Sequence, residues 1–211
     1  MGTPVLIIGE SGTGKTYSLR NLDPKQTGVI SVIRKPFPFK AKLPQVYTDN
    51  YSVVTQTLVK AKAKTIVIDD VHYLMANEFM RRCKETGFQK FTDIANNFWK
   101  LLQTAADLPE DTIIYFLGHI EPDNTGRVKF KTIGKMLDEK ITVEGLFSIV
   151  LRTVVKDGVY QFSTQNDGSD TCKSPPGMFN GLYIENDLAM VDKAIRSFMG
   201  TGEGWSDESV V

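Results

Sequence analysis

Cysteine is nearly absent from this chain: Cys83 and Cys172 are the two in 211 residues. They lie far apart, form no CxxC and have no paired histidines nearby, so the sequence suggests neither a disulfide framework nor a zinc site. Two reduced thiols in a cytosolic protein are the expectation. Net charge is missing as well, because 25 basic residues balance 25 acidic ones. That excludes a polycation, and any nucleic-acid contact has to come from a local patch. No apolar run approaches the ~18 residues needed to span a bilayer, so no membrane association is expected. The first apolar run, residues 5–8, is too short for the core of a signal peptide. No internal repeat and no dividing linker is visible. One domain is expected over residues 1–199, followed by a polar, acidic tail, residues 200–211, expected to be disordered.

What is present is an ordinary globular composition, 41% hydrophobic, in which strands and helices alternate. Residues 4–8, 28–33, 65–69, 112–118 and 146–155 read as apolar strands, and residues 159–163 pair with the last of these across the Lys156-Asp157-Gly158 turn. Residues 15–22, 51–63, 77–84, 92–106 and 188–199 read as helices, with a break near Gly87. Two prolines keep residues 34–42 irregular. The pattern predicts an α/β fold: a mostly parallel sheet flanked by helices, with a C-terminal β-hairpin extension.

The first strand runs straight into Gly9-Glu10-Ser11-Gly12-Thr13-Gly14-Lys15-Thr16, which meets GxxxxGK[ST] at every fixed position. Strand before and helix after are the context this P-loop motif requires. Its glycines let backbone N–H groups turn toward phosphate oxygens, and the helix start adds a positive dipole end. Lys15 is expected to reach the β- and γ-phosphates and the Thr16 hydroxyl to ligate Mg²⁺, with Tyr17 completing the nucleotide contacts. ATP with Mg²⁺ is the expected ligand. The strand ending in Asp69-Asp70 is expected beside the P-loop strand. Asp69 is then the metal-associated carboxylate, acting through water, and Asp70 the residue that orients or deprotonates the attacking water. Glu10 is a rival base. The strand ending at Gly118 delivers His119 and Glu121 to the edge where ligands collect, with His119 the better γ-phosphate sensor. A surface histidine capping the strand is the competing reading.

The Asn-Lys-x-Asp base-reading motif of a GTPase does not occur, and Asp123-Asn-Thr-Gly126 reads as a turn after Pro122. No arginine-rich lid of the small-molecule kinase type is visible. Tandem aspartates suit an ATPase that uses water. The motifs GESGTGKT from Gly9, TIVIDDVHYL from Thr65, IIYFLGHIE from Ile113, KTIGKMLDEKITVEGLFSIVLRT from Lys131, KSPPGMF from Lys173 and Asn186-Asp187-Leu188 together resemble a known family. It is that of small phage-encoded ATP-binding proteins with a minimal RecA-like core, grouped with the Sak-type recombination ATPases that assist single-strand annealing. The resemblance covers residues 1–199. It implies a P-loop ATPase acting in phage DNA recombination or replication inside a bacterial host. It also implies a homo-oligomer that binds single-stranded DNA and meets phage or host replication and recombination proteins. Many RecA-like proteins carry a catalytic Glu after an earlier strand. Residues 31–39 offer none, which adds weight to Asp70. AAA+ helicase loaders also carry tandem acidic residues, so a loader is the alternative, as is a nucleotide-dependent binding module with little turnover.

Two basic patches could serve DNA or a neighbouring subunit. Arg127, Lys129, Lys131, Lys135 and Lys140 follow the strand that ends at His119, and Lys131 and Lys135 flank Gly134, where the backbone can bend toward a ligand. Residues 34–42 form the second, with Phe37 and Phe39 able to stack on bases. A solvated face, with both rings packed inward, is the equally weighted reading of these patches. Trp99 flanks an apolar helical stripe and is a candidate interface residue.

Overall fold

A computed structural model describes residues 1–40 and 42–200. The expected acidic tail lies outside the described residues apart from Gly200. In chain order the main elements are β1 (Thr3–Ile8), β2 (Thr27–Ser31), β3 (Gln45–Tyr47), α1 (Tyr51–Lys60), β4 (Thr65–Asp69), α2 (His72–Arg81) and α3 (Gln89–Ala106). They continue with β5 (Ile113–Gly118), β6 (Ile120–Pro122), β7 (Val128–Phe130), β8 (Ile149–Lys156), β9 (Val159–Ser163), β10 (Tyr183–Glu185) and α4 (Leu188–Met199).

Eight strands form one sheet in the order β10-β9-β8-β1-β5-β4-β2-β3. From β8 to β3 every neighbour is parallel, while β9 and β10 add on antiparallel beyond β8. Strands buried on both faces must be apolar at successive positions, and β1 shows how. Leu6 and Ile8 face the cluster beneath α1, α2 and α3, and Val5 and Ile7 face the cluster beneath α4. Full burial of each such aliphatic side chain contributes ~1.5–3 kcal/mol.

The helices start where their caps lie. The Asn50 side chain accepts from the N–H groups of Ser52 and Val53 at the head of α1, and Asp187 accepts from Ala189 at the head of α4. Gly200, at φ +68°, ends α4 in the left-handed conformation that glycine adopts without strain. The Asp192 carboxylate ties α4 to the sheet, accepting from Thr65 and from the buried Tyr115 hydroxyl at 3.1 Å each.

Several expectations are corrected. The 15–22 helix is a six-residue 3₁₀ turn, Thr16–Asn21, too short to align many peptide dipoles. The strand ending in Asp69 is not beside β1, because β5 pairs with both and separates them. The helix expected at residue 77 begins at His72, directly after the aspartates. Strands β3 and β10 and the hairpin β6–β7 have three residues each, too few for a periodic signal. Among the described residues, no helix is long and apolar enough to cross a membrane.

Candidate functional site

In an open parallel sheet, ligands bind in the crevice beyond the carboxyl ends of the strands. Here β1, β2, β4 and β5 deliver the 9–16 loop, Lys35, Asp69-Asp70 and His119 to that edge. They enclose a cleft of about 360 Å³ lined by Ser11, Lys15, Thr16, Lys35, Asp70 and His119, among others. Small-ligand sites span ~300–1,000 Å³.

The 9–16 loop is shaped by close approach and by handedness. A Cβ on Gly9 would stand 1.9 Å from Thr153 Oγ1 of β8, so only glycine lets the loop leave β1 here. Gly14 has φ +96° and packs under Tyr160 and Asn186. Thr13 and Thr153 share a 2.6 Å hydroxyl contact that fixes the loop to the sheet. Glu10, Ser11 and Gly12 face solvent. Lys15, by contrast, is 6% exposed. Its Nζ donates to the carbonyls of Gly9 at 2.8 Å and Glu10 at 2.6 Å. Burial lowers its pKa to about 8, against the pull of Asp70 and Asp69. Tyr17 is exposed, with the Arg20 guanidinium 4.6 Å above its ring.

Although β5 intervenes, the Thr16 hydroxyl reaches across to both Asp69 oxygens, at 3.2 and 3.1 Å. Burial, and then the adjacent Asp70, raise the Asp69 carboxyl to about 6. Asp70 is also buried, at 2% exposure, but its environment differs. Burial alone would raise its pKa. Nearby His119 and the Lys35 ammonium outweigh that and hold it at about 2. Lys35 pairs directly with Oδ2. His119 Nε2 stands 3.6 Å from Oδ1, an electrostatic approach too long for a hydrogen bond, and Oδ1 has no hydrogen-bond partner. Asp70 also has φ +61°, a region that aspartate tolerates better than most side chains. This turn lets successive carboxylates serve different neighbours.

Among the described residues, those expected at the site divide clearly. Lys15, Thr16, Asp69, Asp70 and His119 come together. Glu121 does not join them, because its carboxylate accepts from the Thr132 N–H and braces the β6–β7 hairpin. Lys131 donates its backbone N–H to the His119 carbonyl at 2.9 Å, yet neither it nor Lys135 lines the cleft. The Lys135 side chain is 86% exposed and stands 3.6 Å from Glu139. Gly134 has φ +91° and lies against Phe91, so the bend serves packing at that point. Phe37 and Phe39 stack on each other at 4.9 Å and pack against the sheet face under α4. Trp99 is half-buried beside a shallow apolar groove.

Sequence reasoning missed Lys35 as an individual partner of Asp70, and missed His72, Thr153, Tyr160 and Asn186. His72 carried a signal, since it follows the aspartates and is one of two histidines in the chain. It is 6% exposed, and its ring lies 4.6 Å from that of His119. Burial, and then His119, lower its pKa to about 3, so it is neutral near pH 7. No protein-family profile matches the chain, and no curated protein matches it significantly.

Proposed function

We propose that the chain is a RecA-like P-loop ATPase that binds ATP with Mg²⁺ in the cleft above β1, β4 and β5. The observation that carries this reading is the Thr16–Asp69 contact, made between residues 53 positions apart. A hydroxyl and a carboxylate at that spacing can hold one hydrated Mg²⁺ between them, the hydroxyl as direct ligand and Asp69 through water. Lys15 then exchanges its two carbonyl partners for phosphate oxygens, and the loop N–H groups supply most of the remaining anion binding. With only a short 3₁₀ turn behind the loop, helix-dipole help is small. Asp70 orients the attacking water, and His119 faces the terminal phosphate.

The resemblance to Sak-type phage ATPases supports a role in DNA recombination or replication, as an oligomer on single-stranded DNA within the cytoplasm of a bacterial host. Exposed Arg34, Lys40 and Lys42 in the segment after β2 that carries Lys35, and exposed Lys131 and Lys135 after the β6–β7 hairpin, are the candidate contacts. A second reading, a nucleotide-dependent binding module with little turnover, is favoured by the Lys35–Asp70 pair. A carboxylate held near 2 by His119 and an ammonium together is a poor base until those partners move. Measuring ATP hydrolysis with and without single-stranded DNA separates the two. DNA-stimulated turnover supports the ATPase, and ATP binding with no turnover in either condition supports the module.

A further inference from the structure

Both histidines of the chain, 47 positions apart in sequence, converge on one aspartate. One ring nitrogen from His72, one from His119 and a carboxylate oxygen of Asp70 lie within 4.8 Å of one another. Among the described residues they are the one such group of three potential ligands. Packing alone leaves two features unexplained. Asp70 Oδ1 is buried, faces His119 Nε2 at 3.6 Å, and has no hydrogen-bond partner. His72 Nδ1 is likewise buried and unpartnered. Buried polar atoms are ordinarily satisfied, and these two orphans belong to two of the three residues that come together here.

We propose that Asp70, His72 and His119 bind a divalent transition-metal ion of the zinc class, at a site distinct from the Thr16–Asp69 position assigned to Mg²⁺. The donor set decides the class. Two imidazoles and one carboxylate suit Zn²⁺, Co²⁺ or Fe²⁺, whereas Mg²⁺ prefers oxygen throughout. Spacing agrees. With bonds of ~2.0–2.1 Å, two donors on a tetrahedral ion stand ~3.3 Å apart. The Asp70–His119 pair is within a few tenths of an ångström of that, and the set closes with side-chain shifts of about 1 Å. Three protein ligands leave a fourth position for water. Lys35 holds the other oxygen of Asp70, and its side chain is 43% exposed, so the ammonium can swing into solvent as the cation enters. The ion would occupy the carboxylate assigned to water activation, so loading the site slows nucleotide hydrolysis. Metal binding itself does not depend on the nucleotide reading.

The test uses the full chain without nucleotide or Mg²⁺, in a Cys83→Ser background because that thiol is exposed. Titration with Co²⁺ is followed by visible absorption and with Zn²⁺ by calorimetry. The expected result is one ion per chain, with affinity falling at least ~10-fold in His72→Gln and in His119→Gln. Lys35→Ala should tighten binding by up to about 5-fold, and Lys15→Ala, which removes a second cation near Asp70, should not weaken it. Because the chain has two histidines, imidazole NMR signals on unmutated ligands provide a reading that no folding defect can blur: Zn²⁺ should shift both rings at one equivalent. Absence of a saturable Co²⁺ band, wild-type Zn²⁺ affinity in folded His72→Gln or His119→Gln, or a shift of a single ring would overturn the site. Loss of ATP binding in Lys15→Ala with metal binding intact would separate this outcome from that of the nucleotide site.

Discussion

Replacing Asp69 by Asn should stabilise the protein at neutral pH while weakening its use of Mg²⁺. Asp69 is 2% exposed and sits beside a second buried carboxylate, so in the absence of a cation its charge is unfavourable. The rise from the ordinary 3.8 to about 6 corresponds to ~3 kcal/mol. The sign follows from proton uptake. The native state binds this proton more tightly than the unfolded chain, so the Asp69 contribution to stability falls as pH rises from ~4 to ~6 and stays low above that. Asparagine keeps an oxygen for the Thr16 hydroxyl and removes the charge. The variant should therefore gain ~1–3 kcal/mol at pH 7.5, with a Tm rise of ~2–4 °C for each kcal/mol, and should gain almost nothing near pH 4. Urea melts of both proteins at pH 4, 5, 6 and 7.5, with no Mg²⁺ and no nucleotide, measure the difference directly. A gap that does not change with pH, or a variant less stable at pH 7.5, would refute the buried-charge argument. With nucleotide present the order should reverse, since Mg²⁺ should enhance ATP binding in the wild type far more than in the variant.

Asp70→Asn should retain ATP and slow its hydrolysis by roughly 10²-fold, measured by phosphate release under saturating nucleotide, whereas a wild-type rate would transfer the base role to Glu10. Gly9→Ala should displace the loop, because its new Cβ meets Thr153 Oγ1. ATP affinity should fall in titration calorimetry, and Thr153→Ala in the same chain should recover part of it. Lys131→Ala/Lys135→Ala should lower the slope of log affinity for single-stranded DNA against log salt by about one for each phosphate no longer neutralised, with basal turnover retained. If the lysines act instead on a neighbour's nucleotide, basal turnover falls, and mixing with Lys15→Ala protein partly restores it.

The parallel sheet was legible because strands buried on both faces carry unbroken apolar runs, as residues 5–8 of β1, 66–68 of β4 and 113–117 of β5 do. The hairpin β8–β9 was legible because Asp157-Gly158 is turn chemistry, and both residues have positive φ. Strand order was hidden. Nothing in residues 65–69 says that β5 will lie between them and β1, since pairing is settled by how crossovers fit over the two faces. The tight turning of the 9–16 loop was legible from its glycines, two of which have positive φ, but the burial of Lys15 was not, because it comes from carbonyls that the loop itself turns inward. Lys35 and His72 escaped for the same reason. Lys35 meets Asp70 only once β2 and β4 lie side by side, and His72 meets His119 only once β4 and β5 pair.

The central claim, a Mg²⁺–nucleotide site built on Lys15, is tested most directly by calorimetric titration of a non-hydrolysable ATP analogue with Mg²⁺ into wild-type and Lys15→Ala protein. Circular dichroism should confirm that both are folded. The wild type should bind one analogue per chain, and the variant should lose at least ~100-fold in affinity, consistent with removing a buried ammonium from phosphate oxygens. Equal affinity in a natively folded Lys15→Ala protein would contradict the account.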